Sequence, residues 1–581
     1  MIRRRFFYNT ADIVNDCLTV VALEDGLTAK LSVNACEYCV DGNGNWKSLP
    51  VDTETEPVNT GQTLSFRANL TPEEEVGIGT FTVNKLHNLK GDCMSLLFGD
   101  DTKDCFSLAD NNHAFRNLFN GNEGLVDASE LTLKATELGT HCYYGMFGNC
   151  TNLTAVPELS AKTLTAACYA YMFHNCANLN EAPVLPATVL AGSCYSNMFN
   201  SCTKLTELPE LPATELAYGC YQYMFNGCTG ITKTVALPAT TLNEYCYRNM
   251  FSGCTSLTEA MDLSAQTLAN NCYQSMFNGC TNLTKAPQGI ASDDFPAYSC
   301  AYMFNGCTSL VKAPVLSLTV ASPTSSRYMQ NYCFSYMFSG CTNLTEVQEE
   351  LPNTRMGNNC CEYMFNGCKN LVNAPKLPAT SFGTFVYQYM FNGCTSLIKA
   401  PALPAKSLTQ QCYTYMFNNC TSLLEAPELP ATTLGIGCYQ YMFNGCTSLV
   451  NAPDLPATTL KQGCYGYMFQ GCTSLTKAPV IFATTLVGNC FQRMFSGCTN
   501  LVEAPVLLAE TLTLLCYEYM FYNCSKLNYI KMMATDITAD RCLQNWVLGV
   551  GTTGTFVKNK DATWDFRGSG GIPSGWTVIT E

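Results

Sequence analysis

The sequence predicts a repeat solenoid preceded by a small β-sandwich-like domain. A Met-Phe pair returns every 26 residues over most of the 581-residue chain. Each return brings the same pattern of cysteine, tyrosine and leucine, and the first 88 residues lack that pattern. A repeat of this length cannot bury its own apolar face, so stacked neighbours must share one continuous core.

The number of repeats is given by the number of Met-Phe pairs. Degenerate units flank the regular series, with Leu118-Phe119 before it and Cys542 with Trp546 after it. Atypical end units are expected because each end of a solenoid must present a wettable face to solvent. The fifteen regular pairs begin at Met146, Met172, Met198, Met224, Met250, Met276, Met303, Met337, Met364, Met390, Met416, Met442, Met468, Met494 and Met520.

One unit, from Leu449 to Cys472, reads LVNAPDLPATTLKQGCYGYMFQGC. Its first half predicts a short strand that pairs in parallel with its neighbours. The recurring proline, Pro453 here, has no N–H to donate, so we expect only about three or four paired residues. In the second half Cys, Met and Cys follow at i, i+4 and i+8, with Tyr and Phe at i+1 and i+5. This apolar face has helical spacing, which predicts a short helix ending at the following glycine.

Units of the form MFNGCTSL followed by an APxLPATTL segment resemble the BspA-like leucine-rich repeats, whose usual frame is AFxxCxxLxxIxLP. The resemblance covers roughly residues 91 to 546. The 26-residue period is slightly long for the family, and an Ala-Pro pair stands where an aliphatic residue is usual. The resemblance implies a leucine-rich-repeat solenoid, as found in cell-surface adhesins and in structural proteins of gut bacteriophages.

The chain divides into three predicted parts. Residues 1–88 contain short alternating segments such as LTVVAL and TLSFRANL, which predict a small antiparallel β-sandwich. Residues 89–546 form the solenoid of about 15 units plus degenerate caps, and residues 547–581 resemble a β-rich capping segment. The insertion between Met303 and Met337 is interpreted as a tolerated surface loop, with a contact site as the alternative.

Thirty-six cysteines admit three interpretations: buried thiols, disulfides or a metal site. The two cysteines of a unit are eight residues apart, too far along a helix for a disulfide. Nothing alternates that would pair units two by two, and Val386 replaces one cysteine as a small apolar residue would. We therefore favour a structural ladder of buried thiols that includes Cys150, Cys176, Cys202, Cys228, Cys254, Cys280, Cys446, Cys472 and Cys498.

A second line of residues lies two positions after the leucine of TSL. Stacked units would bring opposite charges together there, and such cross-strand pairs contribute about 0.2 to 1 kcal/mol each. We interpret this charge stripe as a device for register and solubility, with a binding surface as the alternative. Its charged members include Lys233, Glu259, Lys285, Lys399, Glu425, Lys477 and Glu503.

Catalytic chemistry has no support in the sequence. Cys36 and Cys39 form a single C-x-x-C without a second pair, and the four histidines form no known catalytic or zinc motif. We expect no enzyme activity, no cofactor and no metal, and no binding residue is predicted. A net charge of −14, with Arg3 to Arg5 as the only basic cluster, argues against a nucleic-acid partner. No apolar run reaches the roughly 18 residues of a membrane helix, so no membrane insertion is expected.

The predicted function is non-enzymatic recognition or structural support. The family resemblance and the lack of a standard signal peptide favour a bacteriophage virion fibre or receptor-contacting appendage. The alternative is a bacterial adhesin, at the cell surface or secreted, that binds a host protein or glycan. Expected partners are a protein or glycan receptor, other virion proteins, or a homo-oligomer formed through the N-terminal domain.

Overall fold

A computed structural model describes residues 16–74, 76–319, 328–352 and 355–581. The basic cluster at Arg3 to Arg5 and the centre of the insertion after Met303 lie outside the described residues. The chain separates into two compact units, Met1–Leu283 and Thr284–Glu581.

The first unit opens with a strand-rich domain. Its elements are β1 (Leu18–Ala22), β2 (Ala29–Leu31), β3 (Cys36–Val40), β4 (Lys47–Leu49), β5 (Thr63–Arg67), β6 (Phe81–Val83), β7 (His87–Asp92), helix α1 (Ser95–Phe98) and β8 (Leu125–Thr132). One sheet has the order β4-β3-β5-β1-β7-β8, and β2 pairs with β6 in a second sheet. Phe66 of the first sheet meets Phe81 of the second with ring centroids 4.9 Å apart, so the two sheets share a core.

The junction between this domain and the repeats is a shared sheet. The expected boundary at residue 88 falls inside β7, which pairs in parallel with β8. Asp127 of β8 then bridges in parallel to Ala155 of the next repeat. The last strand of the domain is thus the first rung of the parallel ladder, so no linker separates the two parts.

The repeats form a β-solenoid, as predicted, in which each 26-residue repeat is one coil. In the strand segment, most coils pair through isolated parallel bridges, such as Lys399 with Glu425 and Ser407 with Thr433 in the second unit. In these coils proline lies between the two bridges, as Pro401 and Pro404 do between Lys399 and Ser407, and breaks the ladder, so the expected run of three or four paired residues is split. Longer pairs are β9 (Gly289–Ser292) with β10 (Val315–Leu318), and β11 (Tyr328–Met329) with β12 (Arg355–Met356).

The predicted short helix in each coil is wrong. The segment around Met442 is a chain of turns in which every fourth residue is left-handed: φ is 59° at Gly437, 57° at Tyr441 and 72° at Gly445. Gln440 donates its N–H to Gly437 O three residues back at 3.1 Å, whereas Tyr441 donates to Gly466 O of the next coil at 3.0 Å. A four-residue period resembles the 3.6-residue helical period over so short a segment, which explains the error.

The core is built from columns, meaning residues at the same position of successive coils. The phenylalanine after each methionine is buried, and its ring stacks on the next at 5.5 Å for Phe147 and Phe173 and at 5.6 Å for Phe417 and Phe443. Burial of one such side chain contributes roughly 1.5 to 3 kcal/mol, so each coil is stable only against its neighbours.

The C-terminal segment closes the second unit. Strands β13 (Tyr529–Met532), β14 (Thr555–Lys558) and β15 (Thr577–Thr580) form a parallel three-stranded sheet that continues the ladder. Trp546 is fully buried in this cap, and its Nε1 donates to Gly571 O at 2.9 Å. The large indole covers the last aromatic rings of the core, which would otherwise face solvent.

His87 of β7 predicts an acid-sensitive opening of the N-terminal sheet. Burial lowers the pKa of His87 from 6.5 to about 4. The unfolded state therefore binds a proton that the folded state does not, so the free energy of opening falls as the pH drops from 6.5 towards 4, by roughly 3 kcal/mol. Hydrogen-exchange mass spectrometry of the peptide covering β7 measures this fall. It should be smaller in His87→Gln and unchanged in the control His113→Gln; equal slopes in wild type and His87→Gln would contradict the prediction.

Candidate interaction surface

The second cysteine of each repeat fills a buried column in which the thiol is a hydrogen-bond donor. Cys176 Sγ donates to Phe147 O at 3.1 Å in the first unit, and Cys446 Sγ donates to Phe417 O at 3.1 Å in the second. Alanine would leave the space of the sulfur atom empty and could not donate to the carbonyl. The same contact to the phenylalanine of the preceding coil is made by Cys150, Cys202, Cys228, Cys254, Cys280, Cys472 and Cys498.

The chemistry of these thiols follows from their burial. Exclusion of water raises the pKa of Cys150 and of Cys472 to about 12, so both carry a proton at neutral pH. A metal ligand or nucleophile must be a thiolate. Throughout the described ranges the cysteines are thiols rather than disulfides, and no group of three His, Cys, Asp or Glu side chains there could hold a metal ion. The geometry gives the column an architectural role.

The charge stripe lies along the bridged edge of the coils. Parallel backbone bridges join Lys233 to Glu259 in the first unit, and Lys285 to Lys312, Lys399 to Glu425 and Lys477 to Glu503 in the second. The side chains face solvent, except that Glu259 is half-buried. Lys312 Nζ lies 4.0 Å from Glu346, and exposed pairs of this kind contribute at most about 1 kcal/mol. Its role in register remains a hypothesis, and the neighbouring lysines Lys285 and Lys312 do not follow the expected alternation.

A second surface feature of the second unit was not predicted. Seven half-buried tyrosines from successive coils stack ring on ring, with centroids 4.2 to 4.7 Å apart and planes within 7° to 18° of parallel. The guanidinium of Arg493 continues the stack, 6.0 Å from the ring of Tyr467 and 4.2 Å from that of Tyr519. We call the seven residues the tyrosine strip: Tyr302, Tyr336, Tyr363, Tyr389, Tyr415, Tyr441 and Tyr467.

The backbone does not require tyrosine in the strip. Each of the seven has a left-handed φ between 55° and 62°, a region that bulky residues avoid and asparagine or glycine tolerates. The first unit carries Asn197, Asn249 and Ser275 at the same position. A stacked aromatic pair contributes about 0.5 to 1.5 kcal/mol, close to the roughly 1 to 2 kcal/mol that a left-handed residue costs. Because these terms nearly cancel, fold stability does not explain the unbroken run of tyrosines.

The solvent side of the strip presents uncharged hydrogen-bonding groups. Burial raises the pKa of Tyr336 to about 12, and burial and the neighbouring phenols of Tyr467 and Tyr415 also raise the pKa of Tyr441. The ring faces cover one another, so an approaching molecule meets ring edges and neutral hydroxyl groups. The nearest acid, Glu362, is half-buried, and desolvation raises its pKa, which favours its neutral form.

An amide ladder runs three residues after the strip tyrosine of each coil and stiffens the same face. Asn392 Nδ2 donates to Asn366 Oδ1 at 2.7 Å, and the bonds from Asn418 to Asn392 and from Asn444 to Asn418 are both 2.6 Å long. Glycine follows the asparagine in several coils, as at Gly393 and Gly445, and leaves backbone exposed beside the ladder. The face is therefore a rigid surface of tyrosine, asparagine and glycine.

The repeats match one family of known proteins. The family described as BspA type leucine rich repeat region, six copies, matches residues 129–249, 196–336, 320–450 and 410–545, which together span more than half of the chain. The chain belongs to this family. A search of curated proteins returns no match.

BspA-type repeats are typically interaction scaffolds rather than enzymes. In this BspA-type protein no helix of the described ranges is both long and apolar enough to span a bilayer. The tyrosine strip left a signal in the sequence, because its members directly precede the methionine of each repeat. Alignment of the units on that methionine would show that the position keeps tyrosine in coils where the fold accepts asparagine.

Burial of the cysteine columns predicts almost complete protection from alkylation. Cys105 is the one half-exposed cysteine among the 36, and the others are buried. Iodoacetamide at mildly alkaline pH should label about one thiol in the folded protein and all of them after denaturation, counted by intact mass. Cys105→Ser should abolish the labelling of the folded protein. Rapid native labelling within the repeats would show that the columns open or ionise.

Proposed function

We propose that this BspA-type protein is a non-enzymatic recognition protein that binds a protein partner through the tyrosine strip. The observation that supports this proposal is the uninterrupted stack of seven half-buried tyrosines in a backbone conformation that disfavours tyrosine. Tyrosine, asparagine and glycine also dominate antibody binding sites, where the aromatic residue offers a large contact area at a small entropic cost. A pre-stacked strip loses little further freedom on binding.

The strip favours a protein over a glycan as the partner. Sugar rings pack on open aromatic faces, but here each face is covered by the next ring at 4.2 to 4.7 Å. Ring edges, hydroxyl groups and amides remain available, and they suit the mixed polar and apolar surface of a protein. The scarcity of charge on this face implies an affinity that depends weakly on salt.

We propose in addition that the protein is a component of a bacteriophage virion, either a fibre or a receptor-contacting appendage. Two observations support a location in the virion. The repeats resemble those of gut-bacteriophage structural proteins, and 36 cysteines held as thiols suit folding in a reducing cytoplasm, where virions assemble. A bacterial surface adhesin is the alternative, because BspA-type repeats also occur in such proteins.

Replacement of three consecutive tyrosines of the strip tests the binding surface. The variant Tyr389→Asn/Tyr415→Asn/Tyr441→Asn carries the residue that Asn197 and Asn249 show to be compatible with the coil. We expect its affinity for outer-membrane proteins of the host bacterium, measured by biolayer interferometry, to fall roughly 100-fold or more. Its melting temperature should change by only a few degrees because stacking and backbone strain nearly offset each other.

The control for that experiment is Tyr171→Asn/Tyr223→Asn, which changes the same position in the first unit and should bind like wild type. Protease treatment of the bacterial proteins should abolish binding, whereas periodate oxidation of their glycans should not. Full binding by the triple variant, or loss of binding after periodate alone, would contradict recognition of a protein through the strip.

Mass spectrometry of purified virions and of bacterial envelope fractions tests the location. Peptides of this chain in virions at a constant ratio to the major capsid protein are the expected result. Their presence only in the bacterial envelope would replace the virion proposal with the adhesin.

A further inference from the structure

Two coils near the end of the second unit depart from the repeat at positions that the fold leaves exposed. Where the preceding coil has Asp454, they carry valine, and where it has Pro456 they carry phenylalanine or leucine. Five successive coils before them have proline at the second position: Pro352, Pro378, Pro404, Pro430 and Pro456. The solenoid therefore does not need apolar residues there. The four are Val480, Phe482, Val506 and Leu508, with 49, 48, 41 and 39 % of their surface exposed.

These four side chains line one shallow groove of about 460 Å³ together with Pro479 and Pro505. One coil further out on each side, Asp454 and Lys531 occupy the valine position and end the apolar surface. Contiguous exposed apolar residues bounded by charges are typical of an interaction site. We call these residues the C-terminal apolar groove.

The charged residues that line the groove indicate which kind of partner can bind there. Lys477 and Glu503 both line it, and a parallel backbone bridge places them side by side on its two coils. A two-fold axis parallel to the strands and midway between the coils would bring each coil of one molecule against the other coil of a second. Lys477 would then face Glu503, Val480 would face Val506, and Phe482 would face Leu508. Such a surface is complementary to itself, as the interface of a symmetric dimer must be.

We propose that two copies of this chain associate through the C-terminal apolar groove. Association would cover the four exposed apolar side chains and place each groove charge opposite its counter-ion. The groove lies in the strand segment of the coil and the tyrosine strip in the turn segment, so the contact leaves the strip of each copy available. A dimer would then offer two identical binding faces and gain avidity for a repetitive surface.

Sedimentation velocity of the full-length chain over a range of concentrations tests the proposal. Wild type should dimerise reversibly, and Phe482→Pro/Leu508→Pro should weaken the dimer about ten-fold or more. Both prolines restore the residue of neighbouring coils, and neither Phe482 nor Leu508 donates a backbone hydrogen bond within the described residues. A thermal melt close to that of wild type confirms that this variant folds. The matched control is Val184→Glu, which changes an equally placed, 76 % exposed valine of the first unit and should not affect the dimer.

Exchange of the charges distinguishes a second copy from any other occupant. Lys477→Glu should weaken the dimer because it places two glutamates opposite each other twice. Lys477→Glu/Glu503→Lys should restore it because the pairing is reversed rather than removed. A wild type that stays monomeric at all concentrations overturns the proposal. A dimer that persists in Phe482→Pro/Leu508→Pro also overturns it and directs attention to another contact, such as residues 16–88.

Discussion

In the turn segment, some backbone N–H groups donate to a carbonyl of their own coil and the others donate to a carbonyl of the next coil. The rest of the structure depends on this division. Around Met442, alternate residues donate locally, as Asn444 does to Tyr441 O at 3.2 Å, or across, as Phe443 does to Met468 O at 2.9 Å. An α-helix would use every N–H within the segment and leave nothing to join the coils. The alternation requires a left-handed residue at every fourth position, and an unpaired buried group would cost about 1 to 3 kcal/mol.

This pattern fixes the register and turns every position into a column. A coil bonded to its neighbour at every second residue cannot slip, so each side chain meets its own equivalent. Residues that interact favourably with a second copy of the same residue are therefore favoured: phenylalanine stacks on phenylalanine, and asparagine donates to asparagine. A charge repeated in every coil would meet a like charge, and the neighbouring lysines Lys285 and Lys312 lie at the exposed edge, where solvent screens their repulsion. The chain is accordingly only 13 % charged.

The repeat length, the buried residues and the solenoid could all be predicted, because stacking demands a constant period and a constant core. The helix could not be rejected from spacing, since Cys438, Met442 and Cys446 recur every four residues in a helix-like way. The informative residues were Gly437 and Gly445, because glycine eight residues apart marks left-handed backbone that a helix interior would not contain. The predicted boundary at 88 falls inside β7, which pairs with both the domain sheet and β8, and composition does not reveal a strand shared in this way.

The repeats act as controls for one another and separate architecture from recognition. A buried position that hardly varies, such as the second cysteine, serves the packing that every coil needs, which is why 36 cysteines give no evidence of redox or metal chemistry. An exposed position at which neighbouring coils carry a different residue is not required for this packing. The tyrosine strip and the C-terminal apolar groove both meet this second condition, but in different segments of the coil. The partner binding and the self-association proposed above would therefore change independently without disturbing the hydrogen bonds that hold the solenoid together.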